Sequence, residues 1–142
     1  MTIAEIQEEI VEEFSIFDDW MDKYEHIIES GKELDSISDA LKTNTNLVKG
    51  CQSQVWLHAE MDGENLILQA GSDAIITKGL VSLMVRTLSG HTPKEILNAQ
   101  LSFVDEIGLK EHLSPTRSNG LVSMIKKMKL FALAFQAKQV NS

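Results

Sequence analysis

The chain holds a single pair of β-period runs, and that pair constrains the fold more than any other feature. Val55, Leu57, Ala59 and Met61 alternate with Trp56, His58 and Glu60, Leu66, Leu68 and Ala70 alternate with Ile67 and Gln69, and Asp62-Gly63 between them is a turn signal. A lone hairpin is marginal in water, so its apolar face must be covered by helices. Everywhere else the apolar residues recur at helical steps. The expected fold class is therefore α+β: one domain over residues 1–142, with a small antiparallel sheet, the hairpin with room for a third strand, packed against helices. A length of 142 residues with 43% hydrophobic and 24% charged content fits one such globular unit.

Thr2 and Glu5 have the spacing of a capping box ahead of Ile3, Ile6, Ile10, Phe14 and Phe17, which predicts a first helix. Ile16, Trp20, Tyr24, Ile27 and Ile28 predict a second, broken from the first between Ser15 and Asp19 and ended by Gly31 as a C-cap. A polar connector from Lys32 to Gly50 follows, with one helical turn around Ile37–Leu41. After the hairpin, Ser72 and Asp73 are placed to cap a helix carrying Ile75, Ile76, Leu80, Leu83, Met84 and Leu88 and closed by Gly90. Thr92-Pro93 starts a short helix, Phe103–Leu109 forms another short stretch, and the last helix is expected from about Asn119 to Gln139.

Charge and cysteine content exclude whole classes of function. The net charge is −8, which argues against general binding to nucleic acid or an anionic membrane. Thirteen of the 21 acidic residues but only Lys23 and Lys32 fall within residues 1–40, a local balance of −11, so the remainder carries +3. That acidic stretch reads as a solvated helical face or as a docking surface for a basic partner. No run approaches a membrane span, and Glu5, Glu8 and Glu9 stand where a signal peptide would be basic, so a soluble chain in the reducing cytoplasm is expected. One cysteine admits no internal disulfide and no multi-thiolate metal site.

That cysteine is the strongest chemical candidate. Gly50-Cys51-Gln52-Ser53-Gln54 lies between the polar connector and the first strand; Gly50 permits a sharp turn, and the polar flank of Gln52, Ser53 and Gln54 is not that of a cysteine buried in an apolar core. Against this, free cysteine commonly behaves as a small buried hydrophobe. Of the four histidines, His58 lies seven residues from Cys51 along an extended strand, and His26, His91 and His112 are scattered, so a local Cys/His pair is not formed. No pair has the spacing of a helical metal motif. The segment His112-Leu113-Ser114-Pro115-Thr116-Arg117-Ser118-Asn119-Gly120 reads as a polar helix cap, or as a device presenting Arg117 to a carboxylate or phosphate.

These segments together resemble a known family. Val48 through Trp56, Gly71-Ser72-Asp73-Ala74 with Lys78-Gly79-Leu80, Gly90-His91-Thr92-Pro93-Lys94-Glu95-Ile96, Gly108-Leu109, and His112 through Leu121 follow, in order across nearly the whole chain, the signatures of the SufE family of sulfur acceptors. Lys49 stands where that family usually has proline, and Gly71 where an acidic residue is frequent. The resemblance implies a fold like that of IscU-type scaffolds. It also implies a carrier with no cofactor or metal of its own, in which Cys51 receives sulfane sulfur from a pyridoxal-phosphate cysteine desulfurase and hands it to an iron-sulfur scaffold complex. Asp73 and Arg117 would then sit on the surface near the Cys51 loop and orient the desulfurase, with Lys49 the one basic residue adjacent to the thiol and the loop tucked against the sheet. A monomer or weak homodimer is expected. Which of two paralogous desulfurase systems it would serve stays open, as do the rival readings of a cysteine hydrolase, which lacks any local sign of a base and oxyanion hole, and of a pure interaction module.

Overall fold

Thr2 and Glu5 form the reciprocal cap that their spacing predicts: the Thr2 hydroxyl accepts the Glu5 N–H at 3.1 Å and Glu5 Oε1 accepts the Thr2 N–H at 2.9 Å. They open α1 (Ile3–Ser15), which buries Ile3, Ile10 and Phe14. The computed structural model describes residues 1–141, with side chains through Lys138. Asp19 caps α2 (Trp20–Lys32) by accepting the Asp22 N–H at 3.0 Å, so the break between the helices falls where expected. Gly31 is not a cap. It lies inside α2, at the crossing with α3 (Ile75–Leu88), where a Cβ would meet the Gly79 backbone N at 2.8 Å. Two glycines face each other there because nothing larger fits between the two backbones. The connector contributes a 3₁₀ turn at Asp39–Leu41.

The hairpin is β1 (Val55–Asp62) and β2 (Asn65–Ser72), antiparallel, in a register running from Val55 opposite Ser72 to Asp62 opposite Asn65. Its two-residue loop is thus Gly63-Glu64, one residue later than the Asp62-Gly63 signal. Gly63 has φ +64° and, among the described residues, no non-glycine residue has positive φ, the pattern of a type II′ turn, which demands glycine at its first central position. Among the described residues no full third strand joins the sheet. Its place is taken by a short bridge at Leu47, where the Leu57 N–H donates to Asn46 O and the Val48 N–H to Val55 O, both at 2.8 Å. Val55, Leu57, Ala59, Leu66, Leu68 and Ala70 are buried, so the alternation read in the sequence is the one the sheet uses.

Thr92 and Glu95 cap α4 (Pro93–Asn98) as expected from Thr92-Pro93. The Phe103–Leu109 stretch is two single turns, α5 (Phe103–Glu106) and α6 (Leu109–His112), because Gly108 between them takes φ +84°. The buried Gln7 side chain joins this region to α1, accepting the Phe103 N–H at 3.2 Å and donating to Gln100 O at 3.0 Å. The last helix, α7 (Pro115–Asn141), starts a full turn before Asn119: Pro115 takes the first position, and Ser114 Oγ accepts the Arg117 N–H at 3.3 Å. A polar, loop-like sequence is therefore helical. Among the described residues no helix is long and apolar enough to cross a membrane.

Candidate functional site

Cys51 occupies a short loop pinned at both ends. Before it, Val48 is tied to Val55; after it, the Gln54 N–H donates to Asp73 Oδ1 at 2.9 Å, while Gln54 O accepts the Ser72 hydroxyl at 2.9 Å and the Asp73 N–H at 3.3 Å. Asp73 is thus no helix cap. α3 begins without a side-chain cap, and Asp73, although exposed, spends its carboxylate on the end of the cysteine loop. Gly50 takes φ +89°, and a Cβ there would come within 2.8 Å of Ser123 Oγ on α7. Both the left-handed backbone and the close approach require glycine at that position.

The thiol rests on α7 and not on the sheet, because α7 starts early enough to present Gly120 beneath the loop. Cys51 Sγ donates to Gly120 O at 3.6 Å, and a Cβ on Gly120 would stand only 3.3 Å from Sγ. Around it lies a cavity of about 190 Å³ between the loop, α3 and α7. Its walls include Ile76, Leu80 and Met124, with Gln52 and Ser53 from the loop and Thr116 and Arg117 from α7. The Ser53 and Thr77 hydroxyls pair at 3.0 Å, so each oxygen has a hydrogen-bond partner beside the apolar wall. Small-molecule pockets usually span roughly 300–1,000 Å³, so this one suits a few atoms attached to the cysteine better than a free substrate. Cys51 is half-buried, and burial pushes its thiol above the ordinary range.

Of the residues singled out in the sequence, Cys51, Gln52, Ser53 and Arg117 line one cavity, Gly50 and Gln54 shape the loop, and Asp73 pins it. Lys49 is exposed and lies close enough to Lys127 to add to the burial that depresses the Lys127 pKa. The cationic side chain that lines the Cys51 cavity is Arg117, 66 residues further along the chain. The histidines stay away. His58 approaches Glu60 at 4.0 Å, His26 packs on Phe14 and Phe17, the His91 ring nitrogens face the accepting carbonyls of Met1 at 2.9 Å and Leu88 at 3.2 Å, and His112 stacks on Trp20 at 4.7 Å. Among the described residues no group of His, Cys, Asp and Glu side chains is gathered to hold a metal ion. Sequence reasoning missed Thr77, Ser123 and Met124 as parts of the site, and it read Gly120 only as the end of the His112–Gly120 segment, not as the seat of the thiol. The available signal was Gly120, an isolated glycine in a helical pattern, which marks a close approach.

The SufE family, described as an Fe-S metabolism associated domain, matches residues 8–132. An uncharacterised SufE-like protein of Rhizobium meliloti is 42% identical over 127 residues, covering 86% of this chain and 91% of that one. A SufE-like protein of Synechocystis is 38% identical over 130 residues, covering 92% and 82%. SufE-like protein 1 of Arabidopsis thaliana, chloroplastic/mitochondrial, is 42% identical over 132 residues, but the chain spans only 36% of its length. The solution structure of a hypothetical protein from Thermus thermophilus superposes with a TM-score of 0.75 over 96% of this chain and 97% of that one at 19% identity, which shows a shared fold. By its sequence over most of its length, the chain belongs to the SufE family, whose role is that of a sulfur acceptor in Fe-S metabolism, in association with a cysteine desulfurase.

Proposed function

We propose that Cys51 is the sulfur-bearing residue, that it stimulates a cognate cysteine desulfurase by accepting its sulfur, and that it delivers that sulfur to an iron-sulfur scaffold complex in a reducing cytoplasm. The observation that carries this reading is a lone thiol over a small apolar cavity, held by a loop that both neighbouring elements pin. Cys51 as thiolate attacks the outer sulfur of the donor persulfide; the new S–S bond forms at Cys51, the donor S–S bond breaks, and the donor cysteine leaves as a thiolate that takes up the proton Cys51 gave up. Formally Cys51 is oxidised and the donor cysteine reduced, so no outside oxidant enters. Pyridoxal phosphate belongs to the donor enzyme, and the iron-sulfur cluster to the receiving scaffold.

The cavity explains what the chain adds to free cysteine. A resting thiol raised by burial and donating to Gly120 O is protected from stray oxidants, since the thiolate is the reactive form. The persulfide's extra sulfur has space beside Ile76, Leu80 and Met124, out of reach of other thiols. Incubation with desulfurase, cysteine and pyridoxal phosphate, followed by intact mass, tests the assignment: Cys51 should gain about 32 Da per sulfur atom, as persulfidation requires. Cys51→Ser should abolish the gain and the stimulation of the desulfurase while keeping stability within about 0.5 kcal/mol. Wild-type stimulation by that variant would leave Cys51 a packing residue of an interaction module.

A further inference from the structure

The cavity under Cys51 uses only one side of α7. At roughly 100° per residue, Val122 lies about 160° around the helix from both Gly120 and Met124, so it faces away from the thiol. On that far side a second depression of about 430 Å³ runs between α7 and the α5–α6 turns, lined by Leu101, Val104, Leu121, Val122, Ile125 and Lys126. Further along the helix the same face carries Lys126, Lys129, Leu130 and Leu133. Val122, Leu130 and Leu133 are 47%, 63% and 52% exposed, and from Val122 to Leu133 the stripe is roughly 17 Å long at 1.5 Å per residue. A stripe of that length is the footprint of about three helical turns, longer than a small molecule needs.

Its charge selects the occupant. Every charged residue of α7 is basic: Arg117, Lys126, Lys127, Lys129 and Lys138. Lys127 and Lys129 are tied to the carbonyls of Thr45 and Ala99, but Lys126 is exposed on the rim, and the one acid there, Asp105, is already paired with Lys110 at 3.3 Å. An acidic amphipathic helix matches both features. The chain's own acidic surface does not, because α1 and α2 have already buried their apolar faces in the core, and the exposed Ile16 and Met21 sit five residues apart across the α1–α2 break. A second copy therefore lacks the anchors the groove accepts.

We propose that this groove docks an acidic amphipathic helix of the protein that receives the sulfur. The inference rests on the sulfur-carrier reading above. The donor must bring its own sulfur to Cys51 and so covers the front of α7; a receiver held at the back stays bound while the front is occupied, and its site for sulfur then meets Cys51 at high effective concentration. Front and back are separable by mutation.

The test uses the full chain, a purified cysteine desulfurase and a purified iron-sulfur scaffold complex, with the double variant Val122→Glu/Leu133→Glu and the single variant Lys126→Glu. All three positions are on the surface of the helix, and Lys126→Glu removes no packing. The double variant should bind the scaffold at least about tenfold more weakly, as expected when apolar anchors are lost. Lys126→Glu should weaken it about fivefold, with the difference shrinking as salt is raised. Both should load Cys51 from the desulfurase at the wild-type rate. Unchanged scaffold affinity, a parallel loss of loading, or no measurable binding of the wild-type chain to the scaffold would each overturn the proposal. Cys51→Ser distinguishes the two readings: it should lose sulfur loading yet keep groove-dependent binding, so the carrier assignment and the groove can fail separately.

Discussion

Cys51 donates to Gly120 O across a contact that leaves no room for a Cβ on α7, and its reactivity follows from that seat. Burial disfavours the thiolate, so alkylation by iodoacetamide at neutral pH should be slower in the folded chain than in the urea-unfolded one, with a rate that rises through a higher pH midpoint. The sign for stability agrees. The folded state favours the protonated thiol, so the stability Cys51 contributes is complete below the unfolded thiol's pKa and is lost as pH rises through the folded one. A folded-state midpoint at or below the unfolded one would mean that Arg117, lining the same cavity, outweighs burial. Arg117 itself is exposed and makes its one hydrogen bond to the cap through its backbone, which, among the described residues, leaves the guanidinium available to a partner. Arg117→Ala should weaken desulfurase binding while leaving Cys51 alkylation unchanged. If alkylation shifts and binding holds, the residue tunes the thiol and does not orient the donor.

Two glycines show how differently one residue type serves an element. At Gly63 nothing lies within 4 Å of where a Cβ would stand, and the constraint is the backbone alone, φ +64°. Gly63→Val should cost about 1–2 kcal/mol through that conformation, seen as a lower melting temperature. At Gly79 the backbone is ordinary but a Cβ would overlap the Ile27 carbonyl oxygen, so Gly79→Ala must push α3 away from α2. Overpacking of this kind costs about 1–3 kcal/mol, and a clash against backbone belongs at the upper end. Urea unfolding should therefore rank Gly79→Ala as the more damaging of the two, and the reverse order would show that the helices separate freely at that crossing.

Across the whole molecule, local chemistry and tertiary contact divided the work along a clear line. The capping boxes at Thr2 and Thr92, the α1–α2 break and the hairpin's alternation were legible in the sequence because each depends on residues within a few positions of one another. Membership of the SufE family was legible too, through an ordered set of family-like segments. What the sequence misplaced depends on partners far along the chain. Gly31 reads as a cap until Gly79 is brought against it, Asp73 reads as a cap until Gln54 arrives to be held, and Ser-Pro-Thr-Arg-Ser-Asn-Gly reads as a polar loop although it folds as the first turns of α7. The seat of the thiol belongs to the same class. That Cys51 rests on Gly120 beside Arg117, and that the opposite side of the same helix is left apolar and basic, follows from the packing of α7 against α3 and the cysteine loop, contacts that join residues tens of positions apart and that no local pattern encodes.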